Sequence, residues 1–279
     1  MNNSLISSLV SMQSMQKKID TIANNIANVD TVGFKSSTLY FEDIMSEKMI
    51  QPQGFNLEGR KTTLGLTQGF GVKNSSMLTD FSQGNVKETG IPSDIMLQGE
   101  DIFFTIVKNG GEPYESDDWT YTRNGHFQVD AYGYLVTDQG EYVLSTEDEP
   151  LQIPENSTYT VDSQGLLTAT NVEGEVEEVG TLKITKFNNS QILKQIGNNK
   201  YQIPEEFNTG WFDLVDRDFS FNSDSSGRYA VIQGSLEGSN IDLTKELTEL
   251  NNVQRTYQLL SGGISISNQM MSITNKLRG

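Results

Sequence analysis

The chain begins and ends in long amphipathic helix, and the region between matches neither end. Residues 1–28 and 240–279 carry apolar side chains at helical spacing, whereas the stretch between them is Gly-rich, acidic and strand-like. Ends of coiled-coil grade around a separate β module suit a chain that packs against copies of itself or its relatives. The expected fold class is α+β, a mainly β outer domain plus N- and C-terminal helices. Residues 1–35 and 240–279 form the helical part, 36–75 an extended linker with a short helix, and 76–239 the β domain.

In the first helix Leu5, Leu9, Met12, Ile19, Ala23 and Ile26 fall at spacings of 4, 3, 7, 4 and 3, a heptad-like seam with Gln16 at its polar position. Ser4 is the candidate cap, and Asn28, Asp30, Thr31 and Gly33 supply the stop. The same spacing also suits an ordinary helix packed on its own domain, and periodicity does not choose between the two. In the last helix, starting near Asn240 or Asp242, Leu243, Leu247, Leu250, Tyr257, Ile264 and Met271 follow at 4, 3, 7, 7 and 7. Gln254, Ser261, Asn268 and Asn275 take the intervening positions, which cost stability and fix register. Val253, Leu260, Met270, Ile273 and Leu277 widen the apolar face, so this helix is suited to several neighbours. Gly262 and Gly263 are a weak point within it.

Charge follows the same division. Each end is +1: Lys17, Lys18 and Lys35 against Asp20 and Asp30, then Lys245, Arg255, Lys276 and Arg278 against Asp242, Glu246 and Glu249. Of the net −17 the middle therefore holds −19. That excludes nucleic acid as a partner, which needs a basic face, while the near-neutral ends associate without repulsion. With no Cys there is no disulfide framework, thiol nucleophile or Cys-based zinc site. No apolar run approaches the roughly 20 residues that span a bilayer. Met1–Val10 lacks a basic n-region, so any export is expected to proceed without a cleaved signal peptide.

Phe41–Met49 reads as a short helix and Gln51–Gly71 as an extended linker. From Ser75 to Ser235 the pattern is β. Tyr121–Leu144 shows alternating strands with turns at Asn124-Gly125, Tyr132-Gly133 and Gln139-Gly140. VDAYGYLVT from Val129 returns as VDSQGLLTA from Val161, a repeated hairpin. Tyr229–Leu236 reads as the strand that returns the chain to its last helix.

Catalytic signals are sparse. The single His, His126, reads as structural or surface, and with no second His and no Cys the usual ligands of a transition-metal site are missing. Asn222, Asp224, Ser226 and Gly227 copy half of a calcium loop, but its last position is Gln233 where a bidentate Glu is required. The clusters Glu147–Glu149 and Glu173–Glu178 read as solvated charge. No cofactor and no small-molecule substrate is expected.

Ala23-Asn24-Asn25-Ile26-Ala27-Asn28, with Thr31-Val32-Gly33-Phe34-Lys35, resembles the N-terminal signature of the bacterial flagellar rod and hook proteins. Gly234-Ser235-Leu236-Glu237-Gly238-Ser239-Asn240-Ile241-Asp242-Leu243 resembles that family's approach to its C-terminal helix, and Gln254-Arg255-Thr256-Tyr257 the signature inside it. Gly90-Ile91-Pro92-Ser93-Asp94, Phe103-Phe104, Tyr121-Thr122-Arg123-Asn124-Gly125 and Gly133-Tyr134-Leu135 match in the middle. The chain departs at Ile102, where the family usually has Gly, and at Leu260 and Asn268.

The resemblance implies that the terminal helices pair as a coiled coil and pack with neighbouring subunits into a hollow helical tube, with the β domain outside. Asn24, Asn25 and Asn28 would then act in register and capping, and Gly33 and Phe34 in the exit from the helix. Phe41 and Met45 resemble the Phe-x-x-x-hydrophobe element shown to the flagellar type III export gate, a spacing that puts both on one helical face. The implied partners are copies of this chain, other rod and hook subunits and the export apparatus, in the basal body outside the cytoplasmic membrane. The expectation is a torque-transmitting rod subunit, distal in preference to proximal, whose tube walls the export channel. A hook or rod–hook junction subunit is the alternative, and a cell-wall-acting enzyme the remote one.

Overall fold

The computed structural model describes residues 2–43, 46–49, 66–69, 72–108, 119–155, 157–204, 215–216, 219 and 229–278. The chain divides into two units, one of 1–27, 37–78 and 242–279, the other of 28–36 and 79–241. The architecture is α+β.

The first unit is built on helices α1 (Asn2–Ala27) and α2 (Leu243–Arg278). α1 starts at Asn2, which puts Ser4 within its first turn. α2 is capped by Asp242, whose Oδ1 accepts from the amides of Thr244 at 2.9 Å and Lys245 at 3.2 Å. The helix runs through Gly262 and Gly263 without a break. The expected short helix at Phe41–Met49 is corrected: Ser37–Asp43 and Ser46–Met49 are strands. Ser37–Asp43 pairs with Val72–Thr79, and Ser46–Met49 pairs antiparallel with Leu66–Gly69. The run TLYF, with its β-branched and aromatic residues, favours strand over a short unsupported helix. The rest of the expected linker, and Met45, lie outside the described residues.

The second unit centres on strand Ile102–Val107, all six of whose residues are buried. One edge pairs antiparallel with Trp119–Thr122, and the other is shared by Tyr142–Val143 and Ile184–Phe187. Alternation divides its side chains between two cores. Ile102, Phe104 and Ile106 join Ile95, Leu97, Phe127, Leu135 and Leu167 on one face. Phe103 and Val107 join Phe81, Trp119, Tyr121, Phe187 and Tyr201 on the other. There the rings meet edge to face, with Phe103 at 5.5 Å from Phe81 and 5.4 Å from Phe187.

The sequence echo is a repeated turn. Asp130 N–H donates to the Tyr134 carbonyl and Gly133 N–H to Asp130; Asp162, Leu166 and Gly165 do the same. Thr137-to-Glu141 and Asn171-to-Glu175 repeat it, and the turn glycines Gly133, Gly140, Gly165 and Gly174 all have φ between 78° and 84°. This is a type I turn closed by a left-handed Gly, which joins neighbouring antiparallel strands. Asn124-Gly125 is different and corrects the hairpin reading. Trp119–Thr122 pairs with Lys200–Gln202 and Phe127–Val129 with Leu135–Thr137, so the chain passes there from one ladder to another. A Cβ on Gly125 would lie 1.6 Å from the Ile95 carbonyl oxygen, which leaves room only for Gly.

Candidate assembly surface and signature residues

α1 and α2 lie antiparallel. Near the end of α1, Asn25 Nδ2 is 3.3 Å from Glu246 Oε1, and about two turns earlier Lys18 pairs with Glu249 further along α2. The most buried side chains of α1 are Ser14, Ile22 and Asn25. The expected seam residues Leu5, Met12, Ile19 and Ile26 are half-buried, while Leu9 and Ala23 are exposed. The covered stripe is thus turned by about one residue, roughly 100° of helix. On α2, Leu250, Tyr257, Ile264 and Met271 are half-buried and share their stripe with Val253, Leu260 and Ser267. Leu243 and Leu247 are exposed, their turn being covered at Glu246 and Glu249 instead. Gln254, Ser261 and Asn268, expected at seam positions, are exposed.

A second apolar stripe stands open on α2. Leu259, Ile266, Met270, Ile273 and Leu277 are exposed, at spacings of 7, 4, 3 and 4. This is a heptad seam left uncovered among the described residues. Ile6 and Leu9 are likewise exposed on α1.

The N-terminal signature divides by task. Asn24 is on the exposed side. Asn25 binds the Ser37 backbone twice, donating to its carbonyl at 3.0 Å and accepting from its amide at 3.1 Å. Burial pushes the Glu246 carboxyl up from the usual range, against the Asn25 hydrogen bond that lowers it. Asn28 makes the turn after the helix, its side-chain oxygen accepting from Thr31 Oγ1 at 3.2 Å. Gly33 has φ of 67°, and a Cβ there would meet backbone atoms of Asn124 and Arg123 at 2.7 and 2.8 Å. Phe34 is buried, and Phe41, in a strand, is half-buried with Lys18 Nζ 5.5 Å from its ring centre.

Lys35, Arg123 and Glu237 stand in three separate sequence motifs, none of which marks them for a shared role. In the second unit they form one ion cluster, each side chain 1% exposed. Glu237 Oε1 is 2.7 Å from Lys35 Nζ, and Oε2 is 2.9 Å from Arg123 Nε. Burial raises the Glu237 carboxyl, but Arg123, Lys35 and the Gly84 amide outweigh it and hold the group below the usual range. Burial and Arg123 lower Lys35. The signal available in the sequence is a charged residue inside each of three motifs that are largely uncharged.

The remaining candidates have structural tasks. His126 Nδ1 is 2.6 Å from the buried Asp94 Oδ1. Within Glu147–Glu149, Asp148 is not merely solvated, because it pairs with the buried Lys183. Gln233 bridges strands, accepting from Val161 N–H at 3.1 Å and donating to the Pro92 carbonyl at 2.9 Å. The Asn222–Gly227 part of the calcium-like loop lies outside the described residues.

Three family models match: Flagella basal body rod protein over residues 11–35, Flagellar hook protein FlgE/F/G D1 domain over 97–169, and Flagellar basal body rod FlgEFG protein C-terminal over 232–277. The chain is 33% identical to the flagellar basal-body rod protein FlgG of Bacillus subtilis, over 97% of both chains. It is 30% identical to FlgG of Borreliella burgdorferi, over 96% of this chain and 95% of that one. It is 29% identical to the flagellar hook-basal body complex protein FlhP of Bacillus subtilis, over the whole of both. The matched models take in the α1 signature, the central strand with its hairpins, and α2. The chain belongs to the flagellar basal-body rod protein family, a family of structural proteins and not of enzymes.

Proposed function

We propose that this chain is a structural subunit of the flagellar basal-body rod, in its distal part, self-assembling into a helical tube that transmits torque to the hook and walls the export channel. The observation that carries the reading is full-length similarity to FlgG rod proteins. The helix pair supports it. α1 and α2 act as a coiled coil in the inner tube, and the stripe from Leu259 to Leu277 is where α2 meets helices of neighbouring subunits. Contacts of that kind are heterologous and do not close on themselves, which generates a filament. Leu5, Leu9, Met12, Ile19, Ala23 and Ile26 on α1, and Leu243, Leu247, Leu250, Tyr257, Ile264 and Met271 on α2, divide between the intrachain seam and these contacts.

The partners are copies of this chain, other rod and hook subunits and, during export, the flagellar type III apparatus, which reads Phe41 and Met45. The β unit, acidic and solvated, lies outside the tube.

The test is electron microscopy of basal bodies from a strain lacking the gene, with a complemented control. A rod that is short or absent, and restored on complementation, is the expected result. Where it stops gives the position of the subunit. A complete rod that ends bare overturns the rod reading and makes the chain a hook or junction subunit.

A further inference from the structure

The arm at residues 230–241 is the last part of the β unit in chain order. Ala230–Gln233 pairs with Ile95–Gln98, and Ser235–Glu237 pairs with Val86–Glu88. Beyond these ladders, the arm brings the one carboxylate that reaches both Lys35 and Arg123 among the described residues. Their other hydrogen bonds go to neutral carbonyls. Lys35 Nζ donates to Ser82 at 2.6 Å, and the Arg123 guanidinium donates to Ile102 and Gly99, each at 2.6 Å. Glu237 also accepts from the Gly84 amide at 2.8 Å.

The order of closure follows from charge. Arg123 is seated among carbonyls at the start of the central strand, and Lys35 is as deeply buried. Closing the sheet without Glu237 leaves two cations out of water with no ion-pair contact among the described residues, only the weaker pull of Asp80 on Lys35, a strongly disfavoured state. The alternative is to keep both hydrated, which keeps the central strand open. Glu237 is 202 positions from Lys35 and 114 from Arg123, so the charge that permits closure arrives only when nearly the whole chain is in place.

We propose that the Lys35–Glu237–Arg123 cluster is a completion lock: the β unit becomes ordered only in the step in which residues 230–241 dock. A chain whose C-terminal arm has not arrived stays open, so no half-folded subunit with a closed β unit accumulates.

Pulse-labelled hydrogen exchange during refolding of the full chain tests this. Amides of Phe103–Ile106 and of Val231 and Leu236 gain protection at one common rate. Protection of Phe103–Ile106 ten-fold or more ahead of the arm overturns the lock. In Glu237→Gln the common rate falls at least ten-fold, and adding Lys35→Met recovers part of it by removing one uncompensated cation. A Glu237→Gln chain that folds at the wild-type rate and only unfolds faster also overturns it, because the cluster then merely holds the finished fold. If Glu237→Gln does not fold, the wild-type exchange result decides alone.

Discussion

Asn25 holds the Ser37 backbone by both its polar groups, the side-chain amide donating to the carbonyl at 3.0 Å and its oxygen accepting from the amide at 3.1 Å. One buried side chain thereby ties the last turn of α1 to the first residue of the following strand. Asn25→Ala leaves both Ser37 groups without these partners and removes the bond to Glu246. The expected cost is about 2–6 kcal/mol, at the usual 1–3 for each of the two buried orphans. Asn25→Asp is also destabilising, because a carboxylate then faces the Ser37 carbonyl and Glu246. Thermal unfolding followed at 222 nm checks both, and an unchanged midpoint would remove the tie from the account.

The ion cluster predicts an acid dependence. Glu237 has a folded pKa below its unfolded value. Its stabilising contribution is therefore fully present above the unfolded carboxylate range and is lost as pH falls through the folded value. Urea unfolding of wild type and Glu237→Gln between pH 7 and pH 3 should show a gap that narrows toward acid. A gap that is constant with pH contradicts the assignment.

Two glycines separate strain from crowding. Gly33 and Gly140 have φ of 67° and 78°, but a Cβ at Gly33 meets backbone at 2.7 Å whereas one at Gly140 meets nothing within 4 Å. Gly140→Ala should cost about 1–2 kcal/mol for the left-handed conformation alone. Gly33→Ala should exceed about 3 kcal/mol, since backbone must also move. Equal denaturation midpoints would refute the distinction.

Gly262 and Gly263 lie alongside the open stripe of α2, and a Cβ at either meets nothing within 4 Å. Replacing both by Ala should raise the helix stability of the single chain by about 1 kcal/mol each. If helices of neighbouring subunits approach closely there, the same change lowers polymer yield. Circular dichroism and sedimentation on one preparation measure the two effects. Tighter helix with undiminished assembly would show that the glycines are not contact points.

The helices were legible because their cause is local: apolar spacing, an Asp cap and the turn at Asn28 are all within a few residues of what they control. The D-x-x-G turns were legible for the same reason, since a left-handed Gly sets the hairpin. The stripe that α1 buries within its own chain runs through Asn25, which apolar spacing does not mark. Its burial depends on Ser37, twelve positions on. Phe41–Met49 was misread as helix because its strand is set by partners at Val72–Thr79 and Leu66–Gly69, which local spacing does not encode. The ion cluster was invisible for a related reason. Nothing near Lys35 signals that its counter-charge lies 202 residues away.

The two helices are unequal, 26 residues against 36. With Asn25 set against Glu246, roughly the last two turns of α2 run on past the start of α1. Met270, Ile273 and Leu277 lie there, exposed. A copy that shelters this overhang on its neighbour brings an overhang of its own. The tip of a growing stack therefore always presents the same unsatisfied apolar end, whatever its length. If copies stack in this way, growth consumes one apolar end and regenerates another, and these helices supply no stop of their own.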